Sequence, residues 1–323
     1  MTPPASFVSV SPVVDAPRPT ASHRAEYYAL RSVIATLHAL PWNAACGFGA
    51  ELGTLGYKPL GIRKRVVERQ IAAAFPDLSE AEVQSLARKA YAHLGRSSIE
   101  TALLPSIGQK GVLGMVEAVD GFELVEDAMA LGKGAVLVTG HLGNWELAGA
   151  YVAARGVPMD VIVRTQANPL FDAYINETRG SLGMTVVRDH EAARRTPRSL
   201  RDGRAVAFVS DQGVMGLAST FVPFFGRPAK TPRGAAVFAM KYDTPTLFVT
   251  ALRQKSGKYR VSVERVPIIR TGDREADVDA IVTNYTQILE RWVRSAPEQY
   301  FWHHRRWRRQ PDGTPPELRD PSL

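Results

Sequence analysis

Val136-Leu-Val-Thr-Gly-His-Leu-Gly-Asn-Trp-Glu-Leu-Ala-Gly149 is the stretch on which the reading of this chain turns. Ala135 to Val138 is a short apolar run of the kind buried on both faces of a parallel sheet. Gly140 permits a sharp exit, His141 follows at once, and Asn144-Trp145-Glu146 opens a helical pattern. The histidine and the carboxylate of this turn are five residues apart. At about 100° per residue they would point roughly 140° apart on one continuous helix. They can converge only if His141 lies in the turn and Glu146 in the first helical turns. A strand end that runs into a helix N-terminus is where α/β proteins place ligands. A histidine there can take a proton from a hydroxyl, and a carboxylate can orient it. The backbone N–H groups of the helix start suit an oxyanion or a phosphate.

Outward from this stretch, short apolar runs alternate with helical periods. Strands are predicted at Gly121 to Val125, Asp160 to Arg164, Thr185 to Val187 and Ala205 to Ser210. Helices are predicted at Glu126 to Leu131, Trp145 to Ala154, Pro169 to Leu182, Glu191 to Arg201, Thr231 to Tyr242 and Arg274 to Arg294. Thr246 to Gln254 and Tyr259 to Val266 flank Ser256-Gly257, a hairpin signal. The alternation implies an α/β fold, a mostly parallel sheet covered by helices on both faces with an antiparallel pair near its end. Asn168-Pro169 reads as a helix cap followed by proline at the first helical position, and Ser79-Glu-Ala-Glu82 as a capping box.

The chain has 323 residues and a formal net charge of +8, so an acidic partner fits: an acidic protein, an anionic membrane surface or nucleic acid. No helix-turn-helix, RRM, KH or zinc pattern accompanies the charge, and nucleic acid is set aside. Cys46, the single cysteine, excludes an intrachain disulfide and a thiolate metal site. No metal or cofactor is expected. Residues 1–24 form a Pro-rich lead without periodicity, expected to be disordered and a poor signal peptide. About 19 residues between Arg31 and Glu51 carry no charge. Pro41 and several small residues dilute that run. Residues 25–57 are therefore expected to form a helix or helical hairpin in the membrane interface, with Tyr27, Tyr28, Trp42 and Phe48 at headgroup depth; a buried helix pair is the plainer alternative. Lys58 to Arg65 is a basic segment that an anionic leaflet would attract. Residues 58–313 form the main domain and 314–323 a tail.

Gly140-His-Leu-Gly-Asn-Trp-Glu-Leu147 resembles the His-x4-Asp/Glu block of the lysophospholipid acyltransferase superfamily, in the branch of the bacterial lipid A secondary acyltransferases. Three further blocks are similar to that branch and in its order: Val163-Arg-Thr-Gln-Ala-Asn-Pro-Leu-Phe-Asp172; Ser210-Asp-Gln-Gly213 with Thr220-Phe-Val-Pro-Phe-Phe-Gly226 and Thr231-Pro-Arg-Gly-Ala235; and Pro297-Glu-Gln-Tyr-Phe-Trp302 with His304-Arg-Arg306. The resemblance implies a glycerol-3-phosphate-acyltransferase-like fold and transfer of a fatty acyl group from acyl carrier protein, or acyl-CoA, to a hydroxyl of a glycolipid acceptor. It implies His141 as general base with Glu146 as its orienting partner, on the cytoplasmic face of the inner membrane. No Gly-x-Ser-x-Gly elbow offers a covalent nucleophile, which agrees with direct transfer.

Other residues fall at the same sheet edge. Arg164 could hold an acceptor phosphate or the oxyanion, or pair with Asp211 or Glu146. Asp211 could bind a sugar hydroxyl or hold Arg164; Gln212 and Asn144 are further candidates for the substrate. Arg233, at a helix start, could reach an acidic substrate group or be a solvated charge. Phe221, Phe224 and Phe225 suit an acyl slot or ordinary core, and Trp302-His-His-Arg-Arg-Trp-Arg-Arg309 a phospholipid surface, a glycolipid headgroup or a solvated tail. Two other readings stay open: an acyl-CoA-dependent enzyme resembling the phosphatidylinositol mannoside acyltransferases, and a non-catalytic membrane-surface binding protein.

Overall fold

The computed structural model describes residues 18–213 and 216–323. The Pro-rich lead lies, through residue 17, outside the described residues. The uncharged run becomes two helices, α1 (Ala21–His38) and α2 (Trp42–Tyr57), separated at Pro41, which has no N–H to continue the first and starts the second. Among the described residues no helix is long and apolar enough to cross a membrane. Both α1 and α2 lie on α4 (Glu80–Gly114), which follows the short α3 (Lys64–Ala74). The α2–α4 approach is close enough that a Cβ on Gly53 would come within 2.0 Å of the Tyr91 carbonyl oxygen. The capping box starts α4 as read, the Ser79 hydroxyl accepting from the Glu82 N–H and the Glu82 carboxylate from the Ser79 N–H.

Beyond α4 the chain builds the α/β unit. In order come β1 (Val116–Asp120), α5 (Glu123–Ala130), β2 (Ala135–Thr139), α6 (Trp145–Ala154), β3 (Met159–Val163), α7 (Pro169–Ser181), β4 (Met184–Arg188), α8 (Ala192–Arg201) and β5 (Ala205–Val209). A two-stranded hairpin, β6 (Ser219–Phe224) and β7 (Arg227–Pro232), precedes α9 (Gly234–Tyr242). Then follow β8 (Thr246–Arg253), β9 (Tyr259–Arg265) and α10 (Arg274–Ser295). The main sheet has seven strands in the order β1-β9-β8-β2-β5-β3-β4. The run from β8 to β4 is parallel; β9 turns back antiparallel on β8 through Ser256-Gly257, as its hairpin signal implied, and carries β1 with it.

The strand expected at Gly121 to Val125 is instead the start of α5, and the strand falls just before it, at Val116–Asp120. Gly121 at φ 71° ends the strand. Phe122, Val125 and Ala128, three residues apart, then put a helical stripe into the core.

The sheet separates two apolar layers. Val136, Val138, Val206 and Phe208 face α9 and α10; Ala135, Leu137 and Ala205 face α6 on the other side. Alternation along one strand thus feeds both cores, which is why β2 reads as a continuous apolar run. Phe224 and Phe225 are core, while Phe221 is 39% exposed. Trp302 and Trp307 are completely buried and Arg306 nearly so. The C-terminal aromatic and arginine segment is therefore an internal strap, not a solvated tail or a lipid-facing surface.

Candidate active site

The register of the sheet builds the site. Thr139 of β2 pairs with Val209 of β5, so the residues two steps further on, His141 and Asp211, leave adjacent strands side by side. Asp211 holds His141 twice: its Oδ2 accepts the backbone N–H at 3.0 Å and its Oδ1 lies 2.6 Å from Nδ1. Burial alone would raise the Asp211 pKa, but the His141 imidazole, both hydrogen bonds and nearby Arg306 hold it well below the usual carboxylate range. An ionised carboxylate only accepts, so Nδ1 carries the proton and Nε2 presents its lone pair. Among the described residues Nε2 has no hydrogen-bond partner, and the side chain is 21% exposed. Trp145 packs edge-on against the ring at 4.8 Å, with Phe301 at 5.9 Å. The Gln212 amide nitrogen lies 3.2 Å from Nδ1, so this side chain complements a protonated Nδ1 when turned to present its oxygen.

Glu146 is not the partner of His141. Its carboxylate receives Nε of Arg179 at 3.0 Å and Nη2 at 2.5 Å, a bidentate pair that ties α6 to α7. Both side chains are about seven-eighths buried, at 14% and 13% exposure. Opening such a pair leaves a shielded charge unmatched. Glu146→Gln is expected to cost about 2–4 kcal/mol in urea denaturation, and the double variant Glu146→Gln/Arg179→Met less than the sum of the singles. An unchanged midpoint in Glu146→Gln would show that the pair contributes nothing.

The turn between β2 and α6 is fixed from several sides. The Gly143 N–H donates to the Gln299 carbonyl and the Asn144 N–H to the Ala251 carbonyl, each at 3.0 Å. His93 of α4 lies with Nε2 3.2 Å from the Gly143 carbonyl oxygen. Burial drives the His93 pKa down to about 4, so a neutral ring donates that bond near pH 7. Gly143, at φ 61°, has no space for a side chain: a Cβ would meet the Ala251 carbonyl at 2.0 Å. Asn144 is buried and caps α6, its Oδ1 accepting the Leu147 N–H at 2.9 Å, so it shapes the helix start and does not face substrate.

Arg164 follows β3 and is exposed, with no ion pair among the described residues. Val161 pairs with Ala207, which puts Arg164 level with Ser210, one residue short of Asp211. The structure pairs it with neither Asp211 nor Glu146. Arg233 is already engaged, its Nη1 2.7 Å from Glu275 and its Nε 3.0 Å from Asp279. Its charge is thus satisfied within the protein rather than free for an acidic substrate. Asn168 caps α7 as read, through the Leu170 N–H at 3.1 Å.

Three residues of the C-terminal segment, Arg306, Tyr300 and His304, stand beside the dyad instead of at a lipid surface or in a solvated tail. Arg306 gives Nη1 to the Lys230 carbonyl and Nη2 to the Thr231 hydroxyl, both at 2.7 Å. Burial and the Asp211 charge push the Tyr300 phenol well up. His304 is pushed down to about 4, mostly by burial. All three ride on the strap, which Gln70 of α3 clamps: its amide donates to the Trp302 carbonyl at 2.6 Å and the His304 carbonyl at 2.8 Å, and accepts the Arg306 N–H at 2.7 Å. The quoted His304-Arg-Arg306 block was the available signal.

A buried acceptor carboxylate, an imidazole oriented by it and an open Nε2 at the carboxyl edge of a parallel sheet form the geometry of a general base. The profile described as bacterial lipid A biosynthesis acyltransferase matches residues 18–309. The chain belongs to that family. It is 27% identical over 278 residues to the lipid A biosynthesis lauroyltransferase of Escherichia coli K12, covering 85% of this chain and 89% of the relative. It is 26% identical to the palmitoleoyltransferase of the same organism, over 85% and 88%. A phosphatidylinositol mannoside acyltransferase of Mycobacterium tuberculosis is 30% identical over 154 residues, 46% of this chain and 48% of the relative. This member of the family is an acyltransferase, with an acyl donor and a lipid acceptor.

Proposed function

We propose that the protein transfers a fatty acyl group from acyl carrier protein to a hydroxyl of a lipid A precursor, with His141 as general base and Asp211 as its orienting partner. The observation that carries this is the His141–Asp211 pair at 2.6 Å with Nε2 left open. Nε2 takes the proton of the acceptor hydroxyl as its oxygen attacks the thioester carbonyl. Asp211 stabilises the imidazolium that results. The tetrahedral oxyanion falls near the N-terminus of α6, whose first N–H groups carry partial positive charge. Arg164, exposed at the same edge and without an ion pair among the described residues, is the second cation available to it or to an acceptor phosphate. Collapse expels the thiolate, which receives the proton from Nε2. No covalent enzyme intermediate is required.

The lipid A acceptor is favoured over a mannoside because the lipid A relatives match over 85% of the chain and the mycobacterial enzyme over 46%. The excess of basic side chains suits the acidic carrier protein and the anionic acceptor alike. Exposed Tyr28 and Phe48 support α1 and α2 lying on a bilayer, and the family resemblance makes that bilayer the cytoplasmic face of the inner membrane. The purified chain, given labelled acyl-carrier-protein or acyl-CoA with a lipid A precursor or a phosphatidylinositol mannoside, is expected to label the lipid A precursor from the carrier protein. Labelling of the mannoside alone, or from acyl-CoA alone, would replace that acceptor or donor; no labelling at all would end the reading.

A further inference from the structure

Away from the catalytic edge, a cavity of about 470 Å³ lies between the end of α2 and the first turns of α4. Thr54, Tyr57, Lys58, Gln84, Ser85 and Arg88 line it. Among the described residues neither Lys58 nor Arg88 forms an ion pair, and both are exposed. Neighbouring carboxylates have partners other than these two cations: Glu68 the Tyr57 hydroxyl at 2.6 Å and Lys64, Glu80 the Gln84 amide at 3.0 Å, and Glu82 Ser79. Two cations without an ion pair among the described residues, Lys58 and Arg88, thus border an open crevice together with the Thr54 and Ser85 hydroxyls.

What borders the crevice indicates its occupant. Phe48, Leu52 and Leu55 follow one another at spacings of four and three residues, so they form one stripe along α2, and each is 49% exposed. Leu60 and Ile62, just past α2, continue the apolar surface at 66% and 55% exposure. Thr54 and Lys58 lie one turn apart on the flank of that stripe, turned towards α4. Chains of a lipid on the stripe and its phosphate in the crevice would satisfy both halves at once. A phosphate in free solution would use only the polar half.

We propose that the Lys58/Arg88 crevice binds the phosphate headgroup of an anionic membrane lipid, with Phe48, Leu52 and Leu55 among its acyl chains. This rests on the reading that α1 and α2 lie on the bilayer, and adds to it a discrete site and a lipid class. Arg88 is five residues before His93, about 7.5 Å along α4, and His93 holds the catalytic turn through Gly143. A headgroup in the crevice therefore anchors the bilayer surface within two helical turns of the place where a lipid acceptor must arrive.

The test is sedimentation of the full chain with vesicles free of any glycolipid acceptor, made of phosphatidylcholine alone or with one quarter phosphatidylglycerol. Phosphatidylglycerol is expected to tighten binding, and Lys58→Gln/Arg88→Gln to weaken it about thirty-fold on those vesicles alone, at roughly 1 kcal/mol per cation. Arg194→Gln/Arg198→Gln removes two exposed cations of α8, which face Glu191 and Asp202 within their own segment and lie on a helix that packs on β4, β5 and α9 rather than on α4, and is expected to change binding less than twofold. Ser85→Trp fills the crevice without altering charge and is expected to abolish most of the phosphatidylglycerol preference. Equal losses from the two arginine and lysine pairs, or full retention in Ser85→Trp, would reduce the effect to diffuse charge and overturn the site. Displacement of the chain from vesicles by millimolar glycerol phosphate would assign the crevice to a soluble phosphate instead. Acyl transfer in detergent, measured in parallel, should persist in all these variants; its absence from the unaltered chain would refute the acyltransferase chemistry and leave the vesicle comparison standing.

Discussion

His141→Ala is expected to lower kcat for acyl transfer by about 10²–10⁴-fold while leaving KM for both substrates nearly unchanged, because a general base acts on the transition state rather than on ground-state binding. Asp211→Asn should be almost as severe, for a reason specific to the geometry. The carboxylate serves two donors, the His141 N–H through Oδ2 and Nδ1–H through Oδ1. An amide has one oxygen. If that oxygen keeps the backbone N–H, its NH₂ group faces Nδ1, drives the imidazole proton to Nε2 and removes the base. If it turns to serve Nδ1–H, the backbone N–H is left opposed to another donor and the turn shifts. The double variant should be little worse than either single, since one function is lost only once. Single-turnover measurements with the carrier-protein donor decide it. An Asp211→Asn protein that folds and keeps kcat within threefold would show that the partner of the base is another group.

At this pair, nearness in sequence and nearness in space diverge. The strand-to-helix turn placed His141 correctly, and the strand end at Ser210 placed Asp211 on the same edge. Glu146, five residues away, was the nearer carboxylate and the family pattern named it. What brings Asp211 to the ring is the alignment of Thr139 with Val209, a register between strands seventy residues apart that no local pattern encodes. What takes Glu146 away is Arg179 on the next helix. The same distinction separates the other outcomes. Caps, the hairpin turn and the Pro169 helix start depend on residues within three or four positions, and they were legible. The strap was not: alternating aromatic and arginine residues look like a surface, but distant groups satisfy their backbone inside, Gln70 more than two hundred residues earlier and the His141 carbonyl among them. Arg233 likewise found acids on α10 that its neighbours in sequence did not announce.

A second large effect concerns acid. Burial brings His93, His303 and His304 each down to about 4, against about 6.5 in an unfolded chain. His303 is the clearest case: it is 7% exposed, its ring meets Tyr91 edge-on at 4.2 Å and stacks on Phe301 at 5.4 Å, and among the described residues neither ring nitrogen has a hydrogen-bond partner. Between these two values the unfolded chain binds protons that the folded one refuses, so stability rises with pH and is lost as pH falls from about 6.5 towards 4. Each such histidine contributes a slope of up to about 1.4 kcal/mol per pH unit, and three together about 4, against a typical total stability of 5–15 kcal/mol. Asp211, held low in the fold, adds a further loss only below about pH 4, where the unfolded carboxylate begins to protonate. Urea midpoints measured at pH 8, 6 and 5 are therefore expected to fall at both steps, by the equivalent of about 2.5 kcal/mol between the first two and about 3.5 kcal/mol over the single pH unit to the third. His303→Phe keeps an aromatic ring between Tyr91 and Phe301 and removes the titration. It should raise stability at pH 5 by about 2 kcal/mol, from 1.5 pH units of linkage, and change little at pH 8 beyond the gain of no longer burying two unpaired nitrogens. A His303→Phe protein with the unaltered slope between pH 6 and 5 would place the proton uptake on other groups and leave His303 without a part in the acid sensitivity.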